Sequence, residues 1–241
     1  ASISVQVDQL PNVVASSAFN SICLGDSVLI SASGALNYQW GNGVQISNQY
    51  VSPTTIGNNS YIVTGSDVNS CSNSDTVNVL VNSLPIAQVS ASDTNICIND
   101  TITLLSSAAS NYQWNNGSTS QSQTLILGNA GTTIFTVTIF DNNSCSATDS
   151  VIVNVNNNPT ISVSANNNNI CIGESVTLSA TGAINYLWDN GVTSSTQVIT
   201  PSTSAILTYS VVGTDINSCS ANAQVNITVN PLPNTGPIFH N

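Results

Sequence analysis

The chain has 241 residues and contains no Lys, Arg or Met; its charged residues are all acidic and give a formal net charge of −11. Nucleic acid and anionic membrane surfaces are excluded as partners, because binding to either needs cationic side chains that offset phosphate charge. The composition also argues against disorder, since 41% of the residues are hydrophobic and β-branched residues recur in regular runs.

The sequence repeats itself every 74 residues without insertion or deletion. The residues that mark the interval are Cys23, Cys97 and Cys171, then Trp40, Trp114 and Trp188, then Cys71, Cys145 and Cys219. The repeat predicts three domains at residues 11–84, 85–158 and 159–232. Residues 1–10 match the last strand of a preceding repeat, and residues 233–241 match the start of a following one. We therefore expect the chain to be part of a longer array.

Short runs with a period of two, separated by Gly, Asn and Asp, predict β-strands. In the first repeat the predicted strands are A (Val13–Ser16), B (Ser27–Ala32), C (Asn37–Trp40), two short strands (Val44–Ile46 and Gln49–Val51), F (Ser60–Ser66) and G (Ser72–Val81). Cys23–Asp26 is predicted as the A–B turn and Asp67–Ser70 as the F–G turn. Seven strands without a helical period predict an all-β fold of tandem immunoglobulin-like sandwiches, arranged as a rod.

One Trp on strand C and one aromatic residue on strand F recur in each repeat. These predicted core anchors are Trp40, Trp114, Trp188, Tyr61, Phe135 and Tyr209. Core packing is their expected role, in preference to a platform for glycan binding.

Six cysteines, two per repeat at fixed positions, predict disulfides and an oxidising compartment. An antibody-like bridge would join the middle of strand B to the middle of strand F. Cys23 and Cys71 lie instead at opposite ends of their predicted sandwich. At about 3.3 Å per residue they are roughly 20–25 Å apart, whereas a disulfide needs Cα atoms within about 7 Å.

Cysteines of consecutive repeats are expected to lie closer together. The A–B turn of one repeat faces the next repeat, and the F–G turn of that next repeat faces back. We therefore expect the disulfides Cys23–Cys145 and Cys97–Cys219. Cys71 and Cys171 would then pair outside this stretch. Pairing within each repeat and free thiols remain alternatives.

Carboxylates recur in both kinds of turn. They are Asp26, Asp100 and Glu174 in the A–B turns and Asp67, Asp141 and Asp215 in the F–G turns. The simplest role is to close the turn by a side-chain hydrogen bond. The alternative is calcium, held by Asp26 with Asp141 and by Asp100 with Asp215, because calcium favours carboxylate oxygens.

Three sequence patterns recur in each repeat: C-x-[GN]-[DE]-[ST]-[VI], NYxW and DxNSCS. A fourth, VxV followed by Pro, occurs in the first two repeats and has Ile in place of its first Val in the third. Together they resemble the immunoglobulin-like, PKD-related repeats of giant surface adhesins in gliding bacteria with type IX secretion. The resemblance covers essentially the whole chain and implies cell-surface display, adhesion and gliding motility. The Asp-[Ser/Thr]-[Val/Ile] sequences at Ser27, Thr76, Thr101 and Ser150 are similar to the O-glycosylation motif of the same bacterial group.

An enzyme is not expected. The single histidine is His240, and no repeat places a base beside a nucleophile.

The preferred hypothesis is an extracellular stalk whose partners are neighbouring repeats and lateral copies of itself. One alternative is a self-assembling filament in which Ala1–Val7 is a donated strand, and another is a glycan-binding module. The sequence has no signal peptide or membrane-spanning run, so we expect secretion to be encoded elsewhere and no membrane insertion by this segment.

Overall fold

The computed structural model describes residues 2–234 and Gly236, which form 21 β-strands, seven for each 74-residue interval. In the first repeat the strands are β1 (Val14–Ser17), β2 (Ser21–Cys23), β3 (Val28–Ser33), β4 (Asn37–Trp40), β5 (Asn48–Val51), β6 (Gly57–Ser66) and β7 (Ser72–Asn82). In the second they are β8 (Val89–Ala91), β9 (Asn95–Cys97), β10 (Thr101–Ser106), β11 (Asn111–Trp114), β12 (Ser122–Ile126), β13 (Gly131–Phe140) and β14 (Ser146–Asn156). In the third they are β15 (Ser162–Ala165), β16 (Asn169–Cys171), β17 (Val176–Thr181), β18 (Asn185–Trp188), β19 (Thr196–Ile199), β20 (Ile206–Thr214) and β21 (Ser220–Asn230).

The chain divides into two compact units that do not follow the repeat boundaries. Unit 1 runs to Val89 and adds Ser106–Gln121 and Thr136–Ser150. Unit 2 comprises Ser90–Leu105, Ser122–Phe135 and the chain from Val151. The predicted domain limits at residues 84, 158 and 232 therefore stay predictions.

Each repeat contributes one three-stranded and one four-stranded sheet, which makes the fold all-β with tandem immunoglobulin-like sandwiches. The strand orders in the first repeat are β1-β3-β5 and β2-β7-β6-β4. The third repeat has the same arrangement, β15-β17-β19 and β16-β21-β20-β18. In the second repeat the orders are β12-β10-β8 and β11-β13-β14-β9. No helix within the described residues has the length and apolar character needed to cross a membrane.

The first strand of the sandwich is divided between the two sheets. β1 pairs antiparallel with β3, while β2 pairs parallel with β7, where Ile22 lies opposite Val81. The strand β2 is not predicted from the sequence, because only one of its three residues, Ile22, points into the core. This short strand ends at Cys23 and therefore fixes where the A–B turn begins.

The core of the first repeat forms between the two sheets around Trp40. Val28 and Ile30 come from one sheet and Val63 and Val79 from the other, and all four are at most 1% exposed. Burying apolar surface of this kind is the main favourable contribution to folding. Trp40 is 2% exposed, and its indole N–H donates to the carbonyl of Ile46 at 3.0 Å, so the buried polar atom has a partner.

The predicted strand at Val44–Ile46 is wrong, and the tryptophan explains why. The backbone N–H of Trp40 donates to Val44 at 2.8 Å and closes a tight turn. The carbonyl of Ile46 is engaged by the indole. These bonds use backbone groups that a sheet ladder would require. The other predicted strands of the first repeat are present, with ends shifted by at most three residues.

Candidate functional site at the disulfide-linked turns

The A–B turn begins where β2 ends, at Cys23. The backbone N–H of Asp26 donates to the carbonyl of Cys23 at 3.0 Å, and the Asp26 carboxylate accepts from the backbone N–H of Cys23 at 3.2 Å. Gly25 has a φ of +98°, in the left-handed region that glycine adopts without steric cost. The turn therefore closes on itself and fixes the position of the Cys23 backbone at the edge of the sheet.

The same turn recurs in the other two repeats. Asp100 accepts from the backbone N–H of Cys97 at 2.9 Å, and Glu174 accepts from that of Cys171 at 2.8 Å. The glutamate is one methylene longer than the aspartates, yet its carboxylate reaches the same donor. All three A–B cysteines are thus held by an equivalent carboxylate.

The F–G turn is closed more tightly. One carboxylate oxygen of Asp67 accepts from the backbone N–H groups of Asn69 and Cys71, both at 2.9 Å. The Asp67 N–H donates in turn to the Cys71 carbonyl at 3.0 Å. Ser70 adopts a φ of +64°, which is uncommon for a residue other than glycine.

The second and third repeats reproduce this geometry. Asp141 accepts from Cys145 and Asp215 accepts from Cys219, each at 2.9 Å. Ser144 and Ser218 have φ values of +64° and +65°. The sequence DxNSC therefore encodes a fixed turn that presents the cysteine at its end.

Two disulfides connect an A–B turn to the F–G turn of the following repeat. Cys23 is bonded to Cys145 and Cys97 to Cys219, with Cα atoms 5.5 Å apart and a sequence separation of 122 residues in both cases. These are the two pairs expected from the sequence. Each disulfide lies within one compact unit, Cys23–Cys145 in unit 1 and Cys97–Cys219 in unit 2.

The antibody-like alternative, Cys23 with Cys71, is not formed. Cys71 and Cys171 are free thiols, and both are half-buried. Partial burial raises the pKa of the Cys71 thiol, and the negative charges of Asp67 and Asp8 raise that pKa further. The Cys71 sulfur is therefore held mainly as the thiol at neutral pH, and its oxidation depends on a partner and an oxidant.

The environment of the bonded cysteines differs between the two turns. Cys145 and Cys219 are completely buried, whereas Cys23 and Cys97 remain half-buried. Beside Cys23 lies a cleft of about 420 Å³. Its lining residues include Phe19, Ile22, Asn82, Asn143 and Ser144. The F–G turn of the second repeat thus sits against the A–B turn of the first within unit 1.

The carboxylates of the expected calcium pairs accept hydrogen bonds within their own turns. In Asp26 and Asp141, one carboxylate oxygen accepts a hydrogen bond from a backbone N–H of the same turn. The same is true of Asp100 and Asp215. Among the residues that the structure describes, no group of three or more His, Cys, Asp or Glu side chains is placed to hold a metal ion. Calcium normally takes six to eight oxygen ligands. Calcium binding by these pairs stays the untested alternative to turn closure.

The hydroxyls of the suggested O-glycosylation sites are accessible. Ser27, Thr76, Thr101 and Ser150 are all exposed. The residue that follows is buried in the first three cases and half-buried in the fourth, as strand alternation requires. Their modification stays a prediction.

The aromatic core anchors lie inside their repeats. Trp40, Trp114 and Trp188 are at most 2% exposed and Phe135 is 5% exposed. Tyr61 and Tyr209 are half-buried and pack against the cores of the first and third repeats.

Two aromatic side chains are exposed in the first repeat, Phe19 at 66% and Tyr50 at 72%. Asp93 and Thr124 stand at the matching positions of the second repeat. The exposed aromatics are thus isolated, and they do not form a platform that recurs with the fold. His240, the single histidine, lies outside the described residues.

A carboxylate that was not predicted from the sequence joins two strands of the sandwich. Asp75 on β7 accepts from the backbone N–H of Ala15 on β1 at 2.7 Å, and Asp149 accepts from Val89 at 2.8 Å in the second repeat. The signal in the sequence is an aspartate at the same position in two repeats, where it also begins the Asp-[Ser/Thr]-[Val/Ile] motif. Ala223 stands at this position in the third repeat.

No protein-family profile matches the sequence. No curated protein matches it either.

Solved structures with a similar fold share little sequence with the chain. The fibronectin(III)-like modules of Clostridium thermocellum CbhA are 13% identical at a TM-score of 0.36, over 64% of this chain and all of that one. Murine CEACAM1b is 14% identical at a TM-score of 0.32, over 61% of this chain and all of that one. A Ca²⁺-stabilized adhesin that helps an Antarctic bacterium bind ice is 12% identical at a TM-score of 0.40, over 95% of this chain and 76% of that one. At these identities and TM-scores, the similarity supports no statement about the function of this chain.

Proposed function

We propose that this chain is a non-enzymatic structural segment of a repetitive, secreted cell-surface adhesin, in which it serves as a stalk for surface attachment or gliding. The observation that carries the proposal is the pair of disulfides, Cys23–Cys145 and Cys97–Cys219, each of which links two consecutive repeats. A bridge between repeats strengthens the connection along the chain.

The mechanical consequence follows from the connectivity. The peptide between the first two repeats is short, since β7 ends at Asn82 and β8 begins at Val89. The disulfide adds a second covalent connection between the same two repeats. Tension applied along the chain is therefore shared between the peptide and the bridge.

The composition and chemistry suit an exposed location. Structural disulfides form and persist outside the reducing cytosol. The net charge of −11, with no cation to pair with it, favours solubility and mutual repulsion at the surface. The absence of Lys and Arg from the sequence also removes every cleavage site for trypsin-like proteases.

Single-molecule stretching of the 241-residue chain tests the proposal. With both disulfides intact, the shortest covalent route between the ends passes through both bridges. That route contains about 90 residues instead of about 240, and at 3.3–3.6 Å per residue it extends to about 320 Å instead of about 830 Å. We expect the short extension under oxidising conditions and the long one after reduction.

The matched control is the variant with Cys71→Ser and Cys171→Ser, which keeps both bridges and should behave as the native chain. Equal extensions before and after reduction would show that the bridges bear no load, and the stalk proposal would then fail.

A second candidate is a filament joined by strand donation, and the first residues favour it. Ile3, Val5 and Val7 are 89%, 81% and 88% exposed, while the three matching valines of β7 are at most 8% exposed. Segment Ser2–Val7 thus carries the apolar pattern of a last strand without a sheet to bury it. Each of the three repeats has its own last strand, β7, β14 or β21, so the acceptor would be a further sandwich.

Deletion of residues 1–10 tests strand donation. If the segment joins chains, native chains should form filaments visible by electron microscopy, and the deletion should abolish them. Monomeric native chains at all concentrations would exclude strand donation between copies and leave the stalk proposal unaffected.

A further inference from the structure

The two free cysteines are of complementary kinds. Cys171 lies in an A–B turn, the position occupied by Cys23 and Cys97 in the bonded pairs. Cys71 lies in an F–G turn, the position occupied by Cys145 and Cys219. Both bonded pairs join an A–B cysteine to the F–G cysteine of the following repeat, so each free thiol is one half of the same connection.

The backbone around each free cysteine already has the bonded geometry. Cys71 and Cys145 each donate their N–H to the turn aspartate at 2.9 Å, and the serine before each has a φ of +64°. Cys171 donates to Glu174 at 2.8 Å, as Cys97 does to Asp100 at 2.9 Å. Both turns are therefore preorganised for the bond, and pairing would require no refolding of either.

Burial distinguishes the free F–G turn from the bonded ones. The F–G cysteines that are bonded, Cys145 and Cys219, have no exposed surface, whereas Cys71 is half-buried. Asn143 and Ser144, which precede Cys145, share a cleft with Phe19 and Cys23. The A–B turn of one repeat thus covers the F–G turn of the next. Among the described residues, no A–B turn covers the F–G turn that contains Cys71.

We propose that Cys171 forms a disulfide with the F–G cysteine of another repeat of this type, and that Cys71 forms one with the A–B cysteine of another. This inference rests on the proposed stalk function and names its partner. The bond is directional, because in both existing pairs an A–B turn is joined to an F–G turn. A connection between two unlike surfaces repeats head to tail and forms an open chain or a closed ring.

The reaction is a thiol–disulfide exchange and needs an oxidant, which we assign to a small disulfide such as oxidised glutathione or to a protein disulfide oxidase. One protein thiolate attacks the disulfide of the oxidant, forms a mixed disulfide and releases one thiolate. The second protein thiolate attacks the protein sulfur of the mixed disulfide and releases the other thiolate. Two electrons pass from the two cysteines to the oxidant, whose two sulfurs take up the two protons.

The partner repeat can come from two sources with the same chemistry: a second copy of this chain, or a further repeat of the same polypeptide. A second copy must associate from solution. A repeat in the same polypeptide is held close at a high effective concentration. The experiment distinguishes the two.

In the first arm, C71S and C171S chains are incubated in a glutathione redox buffer, each alone and mixed in equal amounts. The C71S chain retains only the A–B thiol, and the C171S chain retains only the F–G thiol. We expect a disulfide-linked dimer of about twice 24.9 kDa in the mixture, at least about ten-fold above its level in either single sample. The native chain should give a ladder of higher multiples.

In the second arm, the C71S chain carries a copy of residues 85–158 in place of residues 233–241. We expect Cys171 to bond to the F–G cysteine of the added repeat within one chain. A dimer in the mixture identifies a second copy as a competent partner. Success in the second arm alone identifies the next repeat of the polypeptide as the partner.

Two results would overturn the inference. One is the failure of both arms, with Cys71 and Cys171 remaining as thiols. The other is a dimer formed equally well by either single variant alone, because that bond would join two like turns. Neither result concerns Cys23–Cys145 or Cys97–Cys219, so the stretching experiment on the stalk proposal would stand independently.

Discussion

The carboxylate of Asp75 on β7 accepts a hydrogen bond from the backbone N–H of Ala15 on β1 at a distance of 2.7 Å. The bond joins residues 60 positions apart and ties a strand of the three-stranded sheet to a strand of the four-stranded sheet. Hydrogen bonds from Ala15 and then from the backbone of Thr76 lower the pKa of the Asp75 carboxyl below its usual value of 3.8. The charged form of Asp75 is therefore part of the folded structure.

The first prediction concerns pH. Because the pKa of folded Asp75 is below 3.8, its carboxylate contributes stability at neutral pH and loses that contribution as the pH falls through the folded pKa. Asp75→Asn should lower the urea midpoint at pH 7, and the difference from the native chain should shrink below pH 3.8. Urea unfolding followed by circular dichroism across this range provides the measurement.

Asp93→Asn is the matched control, since the Asp93 carboxylate accepts from the backbone of Asn95, only two residues away. It should change the midpoint less than Asp75→Asn at pH 7. A pH-independent effect of Asp75→Asn would contradict a role for the charge.

The second prediction concerns the disulfides. Replacing both Cys23 and Cys145 by Ser removes a bridge with a sequence separation of 122 residues. In the chain-entropy treatment of cross-links, a loop of this size stabilises the folded state by about 4–5 kcal/mol. We expect a loss approaching this value in the free energy of unfolding. The Cys71→Ser, Cys171→Ser double variant, which alters only free thiols, should leave the monomer's stability unchanged.

The third prediction compares two aromatic residues of the first repeat. Trp40 is 2% exposed and donates to Ile46, so Trp40→Ala should cost about 3–5 kcal/mol through cavity formation. Tyr50 is 72% exposed, and Tyr50→Ala should change stability by at most about 0.5 kcal/mol. Thermal unfolding checks both values, and equal losses would be incompatible with the described core.

The fourth prediction concerns calcium. Asp26 and Asp141 each accept backbone N–H bonds within their own turns. We therefore expect the unfolding temperature to be the same in a chelator and in millimolar calcium. A lower unfolding temperature in the chelator, restored by calcium and lost in Asp141→Asn, would instead establish the calcium site.

The sequence was sufficient for the repeated sandwich and for the cysteine pairs. Trp40 and the valines of β7 follow strict alternation, so their burial could be predicted from period alone. The pairing of Cys23 with Cys145 depended on the direction of the strands, which places A–B and F–G turns at opposite ends. Both inferences use features that recur unchanged at a fixed interval.

Other features depended on tertiary contacts that no local pattern contains. The strand β2 has a single inward residue, Ile22, and is held by parallel pairing with β7, more than 50 residues away. The segment Val44–Ile46 has the composition of a strand, but the buried indole of Trp40 takes its carbonyl. Asp75 lies within a recognisable motif, yet its partner Ala15 is distant in the sequence.

Peptide mapping under non-reducing conditions tests the inter-repeat disulfides most directly. A protease that cleaves before Asp leaves each of the six cysteines on its own fragment. We predict that fragment Asp8–Gly25 is linked to Asp141–Thr148, and Asp93–Asn99 to Asp215–Asn241. A linkage of Asp8–Gly25 to Asp67–Ser74, the fragment of Cys71, would place the bridge within one repeat and contradict the stalk proposal.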